Sequence, residues 1–281
     1  MHSSRLIFKI LAFTLMFSVM VMDCYAENSS PDFQMELTRK QQNQKLLLTT
    51  MAGVGVITAW GIAQWDYFSQ SPHSDSEGWF SNNTKHGGAD KLGHMYGSYV
   101  ASHGFAYLYE RWAFQKEKAA FYGALSSLLI FDYMEIGDSF SGYGFSYEDL
   151  IANALGCAFG YLSYRSPDLA DKIDFRWEYG FDMHGSDFTT DYENTKYIFA
   201  LKLNGFESLQ NSQLKHFELL LGYYTRGFSA GNESKERNIF VGVGLNLTDL
   251  FQRYSYNKTA TLLRYIQIPY TYIEYAHDFN E

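Results

Sequence analysis

The chain has 281 residues, enough for one large domain or two modest ones, and a net charge of −9 at pH 7. That balance, with no lysine or arginine cluster to offset it, excludes a nucleic-acid partner, because binding phosphates needs a basic face. Its 23 tyrosines and 23 phenylalanines point to exposed sheets, a membrane interface or a sugar-facing groove.

Residues 1–26 read as an export signal. Arg5 and Lys9 give the positive start, residues 10–22 the apolar run, and Ala26 a small residue before the cut. A retained membrane anchor is a second reading. A lipid-modified Cys24 is a third, although Met22 and Asp23 before it make a poor lipidation box. After cleavage Cys157 alone remains, so no intramolecular disulfide can form despite the oxidising compartment.

Residues 27–45 form a polar arm or the first turns of a helix. The uncharged run that follows, 46–65, has the length of a membrane span. Its glycines, Thr58 and Gln64 suit a fully buried helix as well, and that reading is preferred. Turn chemistry makes 69–88 a loop. Helical patterns then cover 89–113, 117–136 and 147–164. Ser146 with Asp149 three residues on caps the last of these, and Pro167 ends it. Small residues recur at four-residue spacing, in Gly93/Gly97/Ala101, Gly123/Ser127 and Gly156/Gly160, which lets helix axes approach closely. Residues 46–168 are therefore expected to form a compact, glycine-packed helical domain.

The pattern changes near residue 172. The stretches 175–183, 196–206, 215–228, 237–247 and 268–279 are strand-like, rich in β-branched and aromatic residues and separated by polar turns. They are too few to close an outer-membrane barrel, which needs at least eight strands. Residues 172–281 are expected to form an antiparallel β-meander or partial barrel, with charges on both faces at Lys196, Lys202, His216 and Glu218. The fold class expected is α+β.

One helix carries three ionisable groups close together, Asp90, Lys91 and His94. Asp90 and His94 are four apart and share a helix face. Glu135 and Asp138 end the next helical pattern, and Asp149 and Asn153 begin the third. Close packing would bring these six together, each satisfying another. Three readings stay open. The cluster could be a structural polar network. It could be an acid–base site with His94 as the titrating group. Or it could hold a hard or borderline metal ion, one histidine being too few for a zinc-like set. The metal and any cofactor are left undetermined. His103 should point elsewhere, and Lys91 should neutralise a carboxylate or reach solvent.

The pattern D-K-x-x-H, then E-x-x-D, then D-x-x-x-N-x-x-G (Asp90, Lys91, His94; Glu135, Asp138; Asp149, Asn153, Gly156) resembles the helical core of the predicted periplasmic lipoproteins of unknown function, the YfiM-like family, over about 45–165. More distantly it resembles the VanZ-like membrane proteins. The resemblance implies a bacterial envelope protein, and the VanZ-like link implies contact with envelope glycolipid or peptidoglycan. This chain departs from the pattern in lacking a convincing lipidation box and in adding about a hundred residues of β structure.

The sequence thus predicts an exported envelope protein, periplasmic and associated with the outer membrane. A membrane surface or envelope component is the expected partner, with a protein partner also open. The buried cluster serves as scaffold; the alternative is an envelope hydrolase or transferase using His94 on a lipid-linked or cell-wall substrate.

Overall fold

The structure, a computed structural model, describes residues 39–180, 190–228 and 234–279. The export signal, the first part of the polar arm and the end of the 175–183 stretch lie outside the described residues.

Four helices form an up-and-down bundle: α1 (Arg39–Gln64), α2 (Ala89–Arg111), α3 (Lys116–Asp138) and α4 (Tyr147–Arg165). The expected cap is present, with Ser146 Oγ accepting from Asp149 N at 3.3 Å. Two glycines set the helix spacing. A Cβ on Gly123 would lie 2.6 Å from Ser102 O, and one on Gly156 would overlap Met95 O, so α2 packs backbone-close to both α3 and α4. Buried hydroxyls fill the resulting seams: Ser127 Oγ donates to Ser98 O at 2.8 Å, and Ser126 Oγ meets Thr50 Oγ1 at 2.9 Å and Tyr109 Oη at 2.8 Å.

A fully buried helix was the preferred reading of 46–65, and α1 corrects it. Thr50 and Gly61 are its buried residues, while Leu47, Leu48, Met51, Val56 and Ile62 point outward. The local sequence is symmetrically apolar, so nothing in it distinguishes protein-facing from outward positions. The α1 and α3 helices are both long and apolar enough to cross a membrane, with 6 % and 44 % of their most apolar windows buried.

A short helix α5 (Pro167–Lys172) leads into an open five-stranded antiparallel sheet in simple meander order: β1 (Ile173–Tyr179), β2 (Thr195–Lys202), β3 (Phe217–Arg226), β4 (Glu236–Leu245) and β5 (Tyr272–Asp278). Helices α6 (Leu247–Arg253) and α7 (Asn257–Leu262) interrupt the meander before β5. The fold is α+β, as expected. The sheet and the bundle share a core in which Phe175 and Tyr197 pack with Ala89 and Tyr99.

The sheet is strongly curled. Lys196 Nζ on β2 reaches Glu274 Oε1 on β5 at 2.7 Å, with two strands between them in the order. A flat sheet spaces strands about 4.8 Å apart and would hold these groups well out of reach. Residues 265–267 close over the free edge of β1, where Trp177 N donates to Tyr265 O and Gln267 N to Trp177 O.

The four residues expected to put charge on both faces do not do so: Lys196, Lys202 and Glu218 all lie on the concave face, and His216 sits in a 3-10 turn before β3. On that face Arg176 binds Glu218 at 2.6 and 2.9 Å, Asp174 at 3.0 Å and Gln267 at 2.9 Å, while Lys202 binds Asp174 at 2.7 Å. The convex face of β3–β5 carries Phe217, Leu219, Leu221, Ile239, Val241, Val243, Leu245, Ile273 and Tyr275, all exposed.

Candidate functional site

The up-and-down topology gathers four helix ends at one pole of the bundle: the C-termini of α1 and α3 and the N-termini of α2 and α4. All six residues singled out from the sequence lie there. Asp90 and His94 occupy the first turns of α2, Glu135 and Asp138 the last turn of α3, and Asp149 and Asn153 the first turns of α4.

Their geometry divides into two halves that share Asp149. In the first, Lys91 Nζ lies 2.7 Å from Glu77 Oε2, 2.7 Å from Asp90 Oδ2 and 2.8 Å from Asp149 Oδ1, with its side chain 2 % exposed. Burial alone would strip the proton from such an ammonium, but the three carboxylates more than offset this and hold its pKa above the ordinary lysine value. In the second half, His94 Nδ1 lies 3.3 Å from both Glu135 Oε1 and Asn153 Oδ1, and its Nε2 is 3.8 Å from Asp149 Oδ1. Desolvation opposes protonation of this ring, yet the Asp149 and Glu135 carboxylates win and raise its pKa.

Asp138 stands at the rim, where Tyr67 lies beside it. Burial, then the Asp138 charge, raises the phenol's pKa. The Asp138 backbone carbonyl also anchors the following loop, accepting from Ser141 N and Gly144 N at 3.0 Å.

The sequence did not single out Glu77, Asp132, Glu148 or His86. Glu77 lies in the loop before α2, and nothing local marks it as Lys91's partner. Asp132 did carry a signal: it precedes Glu135 by three and shares its face. Glu148 is buried and accepts from Ser76 Oγ at 2.6 Å, Gly78 N at 3.2 Å and Ser146 Oγ at 3.2 Å, which fastens the loop to α4. Burial raises its pKa and these bonds, prevailing, lower it. His86 packs on Tyr192 with ring centroids 4.8 Å apart, and burial lowers its pKa to about 4.

His103 points away from the cluster, as expected. Its Nδ1 meets Tyr265 Oη at 2.7 Å and its Nε2 meets Ser163 Oγ at 2.9 Å, joining α2, α4 and the segment before β5.

The cluster is nearly sealed. Glu135 is 1 % exposed, Asp149 3 % and Asn153 0 %, while the His94 side chain keeps 15 %. Two surface clefts lie elsewhere, one at Arg39, Gln115 and Tyr122, the other at Asp168, Lys202 and Asn246. The arrangement can hold charge and tie three helices.

Residues 76–165 match the model of a family described as a predicted periplasmic lipoprotein (DUF2279). The matched stretch spans under half of the chain and contains all six cluster residues, together with Glu77 and Lys91. No curated protein and no solved structure matches the chain.

Proposed function

We propose, taking the similarity to a periplasmic lipoprotein family as premise, that this chain is an exported envelope protein seated in a membrane through its own apolar exterior, with the Asp/His/Glu cluster as an internal tie between helices. The observation that carries the reading is the outward apolar face of the sheet. The concave face encloses a mixed core, the buried ion pairs of Asp174, Arg176, Lys202 and Glu218 beside Ile198, Ala200, Leu220 and Phe240, while the convex face of β3–β5 presents aliphatic side chains outward. A continuous apolar face left outward by a sheet whose core lies on its other side marks a membrane or partner surface.

The α1 helix supports the same seat. Its uncharged residues 46–63 rise about 27 Å, close to the roughly 30 Å hydrocarbon thickness of a bilayer. Its ends carry interfacial groups, with Lys45 over the Trp112 ring at 5.0 Å at one end and Trp65 at the other. We place the protein at the outer membrane, with the open sheet lying against the lipid rather than spanning it, since only a closed barrel satisfies its strand edges in hydrocarbon. Lipid is then its partner along α1 and the convex sheet. The near-sealed cluster favours a tie over an acid–base site, because catalysis needs a substrate atom within about 3 Å of the titrating group.

The test is fractionation of envelopes from cells expressing the full chain. Banding with the outer membrane on a density gradient and retention through an alkaline carbonate wash are expected. Complete release by carbonate would overturn the membrane seat, and banding with the inner membrane would overturn the placement.

A further inference from the structure

We propose that the half of the cluster formed by His94, Glu135 and Asp149 is a binding site for a first-row divalent cation, which completes the tie between α2, α3 and α4. The inference rests on the reading of the cluster as a tie and adds a further link to that tie.

One imidazole nitrogen and two carboxylate oxygens lie within 4.8 Å of one another, each supplied by a different helix. Contraction by about an ångström would bring them to the separations of ligands on a common ion at 2.0–2.3 Å. A mixed nitrogen and oxygen set of this kind, with a single imidazole, suits manganese or iron better than calcium, which takes oxygen alone.

Two further observations point to a ligand. First, Glu135 Oε1 and Asp149 Oδ1 are shielded from water and accept no hydrogen bond, in residues 1 % and 3 % exposed. The 3.3 Å approach of His94 Nδ1 to Glu135 lies outside hydrogen-bond geometry, and Asp149 Oδ1 has the Lys91 ammonium at 2.8 Å and the His94 ring at 3.8 Å. Buried carboxylate oxygens are rarely left this way, because each lost hydrogen bond to a charged group is expensive. Second, Lys91 is taken up by the other half of the cluster, Glu77, Asp90 and Asp149, and forms no ion pair with Glu135. A divalent ion between Glu135, Asp149 and His94 would sit where the unbonded Glu135 oxygen points. Asn153 Oδ1, 3.3 Å from His94, is placed to orient the ring.

The experiment is calorimetric titration of detergent-solubilised full-length protein, stripped with chelator, with manganese(II) chloride and separately with zinc(II) chloride. We expect one equivalent bound with micromolar or tighter affinity by at least one ion, and a rise in melting temperature on binding. Glu135→Gln, nearly isosteric, should weaken that affinity at least tenfold, with the metal-free melting temperature close to that of the parent. His94→Gln should do the same. Absence of saturable binding of either ion below 1 mM would overturn the proposal, as would affinities unchanged in both variants. The tie itself is judged separately, by the stability of Lys91 variants without metal, so the two readings can fail independently.

Discussion

Replacing Lys91 with methionine keeps the length of the side chain and removes its charge. The ammonium sits 2.7–2.8 Å from Glu77, Asp90 and Asp149 and is almost wholly shielded from water. Without it, three mutually repelling carboxylates stay at the junction of the loop, α2 and α4. Removing one partner of a buried ion pair destabilises by about 3–5 kcal/mol, because the other charge is left uncompensated. For a chain of this size each kcal/mol lowers the melting point by about 2–4 °C, so Lys91→Met should lose about 6–20 °C. Lys172→Met is the internal control. Lys172 pairs with Asp168 at 2.8 Å, but Asp168 is 80 % exposed, and such a surface pair contributes about 0.3–0.5 kcal/mol. The assay is thermal unfolding followed by tryptophan fluorescence in detergent. Adding Asp90→Asn to Lys91→Met should recover part of the loss, since it removes one of the stranded charges. Equal, small shifts for Lys91→Met and Lys172→Met would refute the reasoning, and so would a double variant no more stable than the single.

Acid should weaken the fold through two of its buried imidazoles, His103 and His86. Burial lowers the pKa of His103 to about 4, so the native state stays neutral while the unfolded chain takes up a proton below about 6.5. Stability from this group is therefore full above pH 6.5 and is lost as pH falls toward 4, by up to about 3 kcal/mol. Unfolding free energies of His103→Gln against pH should be flatter than the parent's by that amount, and parallel curves would contradict the assignment; His86 adds a similar slope. Gly156→Ala would drive a Cβ into Met95 O and Ser98 Oγ, and should destabilise by about 1–3 kcal/mol. Gly104→Ala, in the same bundle with nothing within 4 Å of the new Cβ, should stabilise by up to about 1 kcal/mol from helix propensity; denaturant melts that rank the two alike would contradict the packing described.

The bundle was legible because its signals are local. The Ser146 cap, the glycine spacing and the polar pairs at helix ends each fix one element, and up-and-down connection then brings those ends together. What the sequence hid is set by distant contacts. Glu77 finds Lys91 through the path of a loop. The exposure of α1 depends on how many neighbours it has, and an evenly apolar helix does not record which side they occupy. The sheet misled more subtly. Lys196, Lys202 and Glu218 looked scattered because parity along one strand says nothing of register with the next; the pairing Lys202↔Glu218 puts them on one face. Helices α6 and α7 fell in a stretch read as connection, although Asn246 caps α6 by accepting from Asp249 N at 3.0 Å.

The membrane seat is tested most directly by a spin label placed on the convex sheet. We would attach nitroxides at Val243→Cys and, as a polar reference, at Glu207→Cys in protein reconstituted into phospholipid vesicles, with Cys24 and Cys157 replaced by serine, and compare collision with oxygen and with a water-soluble nickel chelate. Val243 is half exposed on the apolar face and should favour oxygen strongly, whereas Glu207 in its 3-10 turn should favour the chelate. Equal access of the chelate to both labels would mean that the aliphatic face of the sheet lies in water, and the account of this protein as lipid-seated would fail.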